Sequence, residues 1–248
     1  MSYTLAKLKV TARERILPGA FFRVLATLRG VPDAQLYSPH FQPWRGPGAF
    51  QDAYREMQGR SLVDAQAAFV LYTLARQACT VAGDFMEAGV YRGGTARLLR
   101  RLLDGARGER ELHLFDTFAG MPETDPERDL HKPQDFADTS VSAVSAFVGT
   151  EPWIVYHPGF MPDSFRGQEA RRFAFAHVDV DIYRSIYDCC EFIYPRLNNG
   201  GLMLFDDYGV ASCPGARAAV DAFFADKPEV PLVLGTGQAV VFRTTAPA

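Results

Sequence analysis

At 248 residues, with 48% hydrophobic and 22% charged side chains, the chain has the size and polarity of one α/β domain with elaborations, or of two small domains. A net charge of −3 supplies no general electrostatic drive toward nucleic acid or an anionic membrane. No stretch approaches the roughly 18 apolar residues of a membrane span, and the N-terminus shows no apolar segment with a cleavage site, so a cytoplasmic protein is expected. Four cysteines, Cys79, Cys189, Cys190 and Cys213, lack CxxC or metal-finger spacing and read as reduced thiols, mostly in the core.

Residues 1–60 read as an N-terminal extension. It holds a short amphipathic helix around Phe21 to Leu28, then LYSPHFQPWRGPGAF, where Pro39, Pro43 and Pro47 forbid a long regular element. That stretch is either a connector or a lid whose Tyr37, Phe41 and Trp44 cover a ligand. Residues 61–248 read as one domain. Asp64 to Cys79 carries Phe69, Leu71, Tyr72, Leu74 and Ala75 at near-helical spacing, which predicts a helix packed on a sheet. Asp84 to Ala88 reads as a strand, Gly89, Gly93 and Gly94 as a turn, and Thr95 as the opening of a helix with Leu98, Leu99, Leu102 and Leu103 on one side. His113 to Phe115 is a second strand, ending in Asp116. After a polar, Pro-broken loop, a helix is expected over Val141 to Val148 and a strand over Ile154 to Tyr156.

Two short apolar runs, FAFAHV and LMLF, have the look of strands buried on both faces of a parallel sheet. A helix lies between them, roughly Ile186 to Leu197, followed by a Gly200-Gly201 turn. PGARAAVDAFFADK is a further helix with Pro near its start, and VPLVLGTGQAVVFRT is a terminal hairpin turning at Gly235-Thr236-Gly237. This alternation predicts a Rossmann-like α/β fold: a mostly parallel twisted sheet, a C-terminal antiparallel hairpin, and helices on both faces.

The apolar runs end in acids, Asp179-Val180-Asp181 and Asp206-Asp207. Ligands of open α/β sheets gather at the carboxyl ends of strands, so these acids are aimed at one crevice. Carboxylates at that density repel one another unless a hard divalent cation sits among them, and Mg²⁺ takes such ligands. His177 shares a strand face with Asp179 and is either a proton relay or a hydrogen-bonded strand histidine. Asp181 is expected to cap the helix starting near Tyr183, with a water-mediated metal contact as the alternative. His40, His131 and Asp135 are acceptor contacts or solvated loop residues.

In the first half of the sheet, Glu87, Gly89, Gly93 and Gly94 are followed, roughly 20 residues on, by Asp116, an acid placed to accept ribose hydroxyls. The turn lacks the GxGxxG fingerprint that seats a pyrophosphate and has no GK[ST], which leaves a nucleoside without phosphates, commonly S-adenosylmethionine.

GDFMEAGVYRGGTARLL, LHLFDTFAGMPETD, HVDVDIYRS, YPRLNNGGLMLFDDYG and CPGARAAVDAFF, in this order, resemble the macrocin O-methyltransferase (TylF-like) family. The resemblance implies a class I methyltransferase using S-adenosylmethionine and Mg²⁺ to methylate sugar hydroxyls of natural products or other glycosides, often as a homo-oligomer. It implies Asp179, Asp206 and Asp207 as metal ligands and Asp179 as general base. It also implies Glu87, Gly89, Gly93, Asp116, Thr117 and Phe118 as cofactor contacts, with Ser140 and Ser142 near the adenine. Val180 and Arg184 depart from the Gly and Glu of macrolide-sugar members, so those members' acceptors do not carry over. A catechol-type methyltransferase and a non-catalytic S-adenosylmethionine-binding protein are the rival readings, with no nucleic-acid or membrane partner in either.

Overall fold

A computed structural model describes residues 43–244 except Gly46, all within one compact unit. The helix expected around Phe21 to Leu28, and Tyr37, His40 and Phe41, lie outside the described residues.

Seven strands form one sheet in the order β3-β2-β1-β4-β5-β7-β6. They are β1 (Asp84–Ala88), β2 (Leu112–Asp116), β3 (Ile154–Pro158), β4 (Phe173–Val178), β5 (Leu197–Phe205), β6 (Leu232–Val233) and β7 (Ala239–Phe242). The first five run parallel, and β7 pairs antiparallel with β5 and β6, which is the expected Rossmann-like architecture with its terminal hairpin. Helices α1 (Ala49–Met57), α2 (Ala65–Ala78), α3 (Gly94–Ala106), α4 (Val141–Val148), α5 (Tyr183–Ile193) and α6 (Pro214–Phe224) cover its faces.

Two apolar clusters form the core, one per face. Phe85, Leu112, Leu114, Leu202 and Leu204 meet the apolar sides of α1, α2, α3 and α4, whereas Met86, Phe115, Met203 and Phe205 meet α5 and α6. In α3, Leu98, Leu99, Leu102 and Leu103 are all buried, each contributing on the order of 1.5–3 kcal/mol. Phe50, Ala53 and Met57 of α1 join the same cluster, and Trp44 packs against it. Local chemistry starts the helices: Asp64 accepts from the Gln66 and Ala67 N–H groups at 2.9 Å, and the Ser140 hydroxyl from the Ala143 N–H at 3.2 Å.

Around Leu197 the structure corrects the sequence reading. The helix ends at Ile193, a 3₁₀ turn occupies Tyr194–Arg196, and β5 begins at Leu197 itself. Pro195 has no N–H to continue the α-helical hydrogen-bond ladder, so the helix gives way to the 3₁₀ turn there. Gly200 and Gly201 are not a turn before the strand but lie inside β5, where its register with β4 shifts. A Cβ at Gly201 would meet the Asn198 carbonyl at 2.9 Å.

The site is positioned by the point where strand order reverses: β2 lies on one side of β1 and β4 on the other. The hydrogen-bond ladder runs one residue past each strand. Gly89 N–H donates to Phe115 O (2.9 Å), Asp179 N–H to Ala88 O (2.8 Å) and Asp206 N–H to Val178 O (3.0 Å). Three chain segments therefore leave the sheet side by side.

Candidate active site

A cavity of about 320 Å³ lies at these carboxyl ends, with Gly89, Asp116, Thr117, Asp179, Asp206 and Asp207 in its wall. Val178 pairs with Phe205 in the β4–β5 register, so the next residues on each strand, Asp179 and Asp206, are neighbours by construction. Asp207 follows, and the three side chains each offer an oxygen within 4.8 Å of the others. Burial holds the Asp179 and Asp207 carboxyls well above the ordinary carboxylate range, and neighbouring carboxylates push the same way: Asp206 and Asp207 on Asp179, Asp181 and Asp206 on Asp207. A set made only of crowded carboxylate oxygens fits a hard cation such as Mg²⁺, which would offset that repulsion.

Strand pairing also places Glu87 opposite His177. Both are fully buried, and His177 Nδ1 lies 2.8 Å from Glu87 Oε1 while Nε2 lies 3.4 Å from Asp206 Oδ1. Burial alone would lower the imidazole's pKa, but the hydrogen bonds to Asp206 and Glu87 outweigh it and hold His177 well above its usual value. Burial raises Glu87 in turn. His177 is thus a hydrogen-bonded strand histidine tied to the acid cluster. Glu87 does not line the cavity, yet among the described residues its Oε2 has no hydrogen-bond partner.

Asp116 is engaged by the turn it faces. Its Oδ2 accepts the N–H groups of Val90 (2.6 Å) and Tyr91 (2.9 Å), and its Oδ1 that of Phe118 (2.6 Å). The glycines have structural reasons of their own. A Cβ on Gly89 (φ +86°) would sit 1.7 Å from the Asp179 carbonyl oxygen, so only glycine lets β1 end against β4. Gly93 (φ +84°) faces Val144 and Val148 of α4 rather than the cavity. Phe118 is buried in the core and meets Asp116 through its backbone, and Ser142 is exposed beside Ser140. Gly93, Phe118 and Ser142 do not line the cavity.

Asp181 does not cap α5. It is the centre of a γ-turn, with φ +59° and Ile182 N–H donating to Val180 O, and α5 is capped from a distance by Asp129, whose Oδ1 accepts the Tyr183 N–H at 2.9 Å. The Asp181 carboxylate instead accepts from the Cys213 thiol (3.4 Å) and lies 3.7 Å from His131 Nε2. Val180 lines the cavity, whereas Arg184 is turned to solvent and pairs with Asp188 at 2.8 Å.

Several contributors had no signal in the sequence. Gln238, from the C-terminal hairpin, donates to Asp206 Oδ1 at 2.7 Å and to the Ala67 carbonyl at 3.3 Å. Cys213 is buried in the core, as expected, and also borders the cavity. Only the folding of remote segments onto the acids shows these contacts.

The comparisons agree with this architecture. Residues 56–243 match the family Macrocin-O-methyltransferase (TylF). The chain is 31% identical over 179 residues to the 8-demethyl-8-(2,3-dimethoxy-alpha-L-rhamnosyl)-tetracenomycin-C 4'-O-methyltransferase of Streptomyces olivaceus, covering 67% of each chain. It is 30% identical over 147 residues to the mycinamicin III 3''-O-methyltransferase of Micromonospora griseorubida, covering 54% of this chain and 58% of the relative. Among solved structures, the O-methyltransferase NovP superposes with a TM-score of 0.68 at 22% identity, over 79% of this chain and 88% of that one. The chain belongs to the macrocin-O-methyltransferase (TylF) family of O-methyltransferases.

Proposed function

We propose that the chain moves a methyl group from S-adenosylmethionine to a sugar hydroxyl of a natural product, assisted by Mg²⁺. The observation that carries this reading is the convergence of Asp179, Asp206 and Asp207 on the cavity wall that also holds Asp116 and the Gly89 turn. The rhamnosyl group in the first relative's name supports a sugar acceptor.

S-adenosylmethionine supplies an electrophilic methyl on a sulfonium. Asp116 and the Val90–Tyr91 turn form its nucleoside cradle. Three backbone N–H groups occupy Asp116, which leaves about one of its roughly four acceptor sites for a ribose hydroxyl. Mg²⁺ held by Asp179, Asp206 and Asp207 would acidify and orient the acceptor hydroxyl. Asp179 accepts that hydroxyl's proton as the oxygen attacks the methyl carbon and the carbon–sulfur pair returns to sulfur. His177, anchored by Glu87, steadies Asp206, and Gln238 does so from the hairpin.

The test is methyl transfer to a panel of rhamnosyl and other deoxysugar glycosides plus a catechol, with Mg²⁺ and with EDTA. Product on a glycoside that disappears in EDTA is expected. Product on the catechol alone would discard the sugar, and product that survives EDTA would discard the metal role of the three aspartates.

A further inference from the structure

We propose that His131, Asp181 and Cys213 form a second metal site, one that takes a borderline divalent ion such as Zn²⁺ and leaves a coordination position open to the cavity. The three residues come from separate segments: the polar loop before α4, the γ-turn after β4, and the residue preceding α6. All three line the cavity. Their donor atoms form a near-equilateral triangle: Cys213 Sγ to Asp181 Oδ1 is 3.4 Å, Cys213 Sγ to His131 Nε2 is 3.6 Å, and His131 Nε2 to Asp181 Oδ1 is 3.7 Å. Bonds of about 2.0–2.3 Å at tetrahedral angles separate ligand atoms by roughly 3.3–3.6 Å, so the triangle is within a few tenths of an ångström of one face of a zinc tetrahedron.

The support behind the triangle is that of a ligating histidine. Asp135 Oδ2 lies 3.1 Å from His131 Nδ1 and is itself held by the Lys132 N–H at 3.0 Å. A proton kept on Nδ1 leaves the Nε2 lone pair facing Cys213 and Asp181. The γ-turn at Asp181, a left-handed conformation in a non-glycine residue, takes that carboxylate away from α5 and toward the other two. Nitrogen and sulfur donors select against Mg²⁺, so this site and the all-oxygen cluster of Asp179, Asp206 and Asp207 are expected to take different ions. An incoming ion replaces the proton that Cys213 shares with Asp181, and that proton leaves to solvent. The proposal stands on this geometry and does not depend on the methyl-transfer reading.

Co²⁺ titrated into the EDTA-stripped full chain, with Mg²⁺ in excess, tests it. A thiolate-to-cobalt charge-transfer band saturating at one ion per chain is expected. The band is lost in Cys213→Ser and retained in Asp179→Asn and in Cys79→Ser. Asp135→Ala, at a half-buried loop position, lowers Co²⁺ affinity about 10–100-fold, and this keeps the test intact if Cys213→Ser misfolds. A missing band in the parent chain, a band unchanged in a folded Cys213→Ser, a band lost with Asp179→Asn, or an affinity indifferent to Asp135→Ala would each overturn the proposal.

Discussion

His177 Nδ1 lies 2.8 Å from Glu87 Oε1, between two side chains with no exposed surface, on neighbouring strands at the reversal of the sheet. The contact joins the two halves of the site. Glu87 belongs to the strand that opens the Gly89 turn, and His177 reaches on to Asp206. Removing one partner strands the other in the core. Glu87→Ala is expected to cost about 3–5 kcal/mol in urea unfolding, and Glu87→Gln, which keeps an acceptor, clearly less. A loss below about 1 kcal/mol for the alanine variant would show that the pair does not hold the strands together.

Asp179 pits stability against activity. Its carboxylate is buried among Asp206, Asp207 and Asp181, all of which raise its pKa, so the ionised form opposes folding in the absence of a cation. Asp179→Asn should therefore raise the melting temperature in EDTA while lowering methyl transfer on the order of 100- to 10,000-fold. A variant that is less stable in EDTA, or that turns over at the parent rate, refutes the assignment.

Asp116 has two duties that different variants separate. Asp116→Ala removes the acceptor for the Val90, Tyr91 and Phe118 N–H groups, so both stability and S-adenosylmethionine affinity should fall. Asp116→Asn retains one acceptor oxygen and should preserve more stability than affinity. Calorimetric titration checks this, with at least a tenfold rise in Kd expected for the alanine variant. An unchanged Kd would remove Asp116 from the cofactor site.

His157 provides a pH signature away from the cavity. Burial, then the nearby His113 and Arg171, lower its pKa from 6.5 to about 4. The unfolded chain takes up a proton near pH 6.5 that the folded chain refuses, so this contribution is complete above pH 6.5 and lost as pH falls to about 4. Its ceiling is roughly 3 kcal/mol, less an allowance for partial exposure. Urea midpoints at pH 7, 5.5 and 4 should fall less steeply in His157→Gln than in the parent, and parallel slopes would exclude His157 as a source of acid sensitivity.

The strands and most helices were legible in the sequence because each is set by local pattern. FAFAHV and LMLF are apolar throughout, as strands covered on both sides must be, and the leucines of α3 recur at helical spacing. The paired aspartates were legible for a related reason: parallel strands end at the same edge, so acids at their carboxyl ends face the same crevice, and the β4–β5 pairing makes them neighbours. The start of β5 was not, since glycines inside a bulged strand carry the same local signal as glycines in a turn. What only the tertiary structure decided is the wall around those acids. His131, Cys213, Asp129 and Gln238 arrive from segments far apart in the chain, and their side chains carry no periodicity that announces a destination. Register placed Asp179 beside Asp206, while the folding of loops and the C-terminal hairpin over the sheet edge, which packing sets and no short pattern encodes, placed their neighbours.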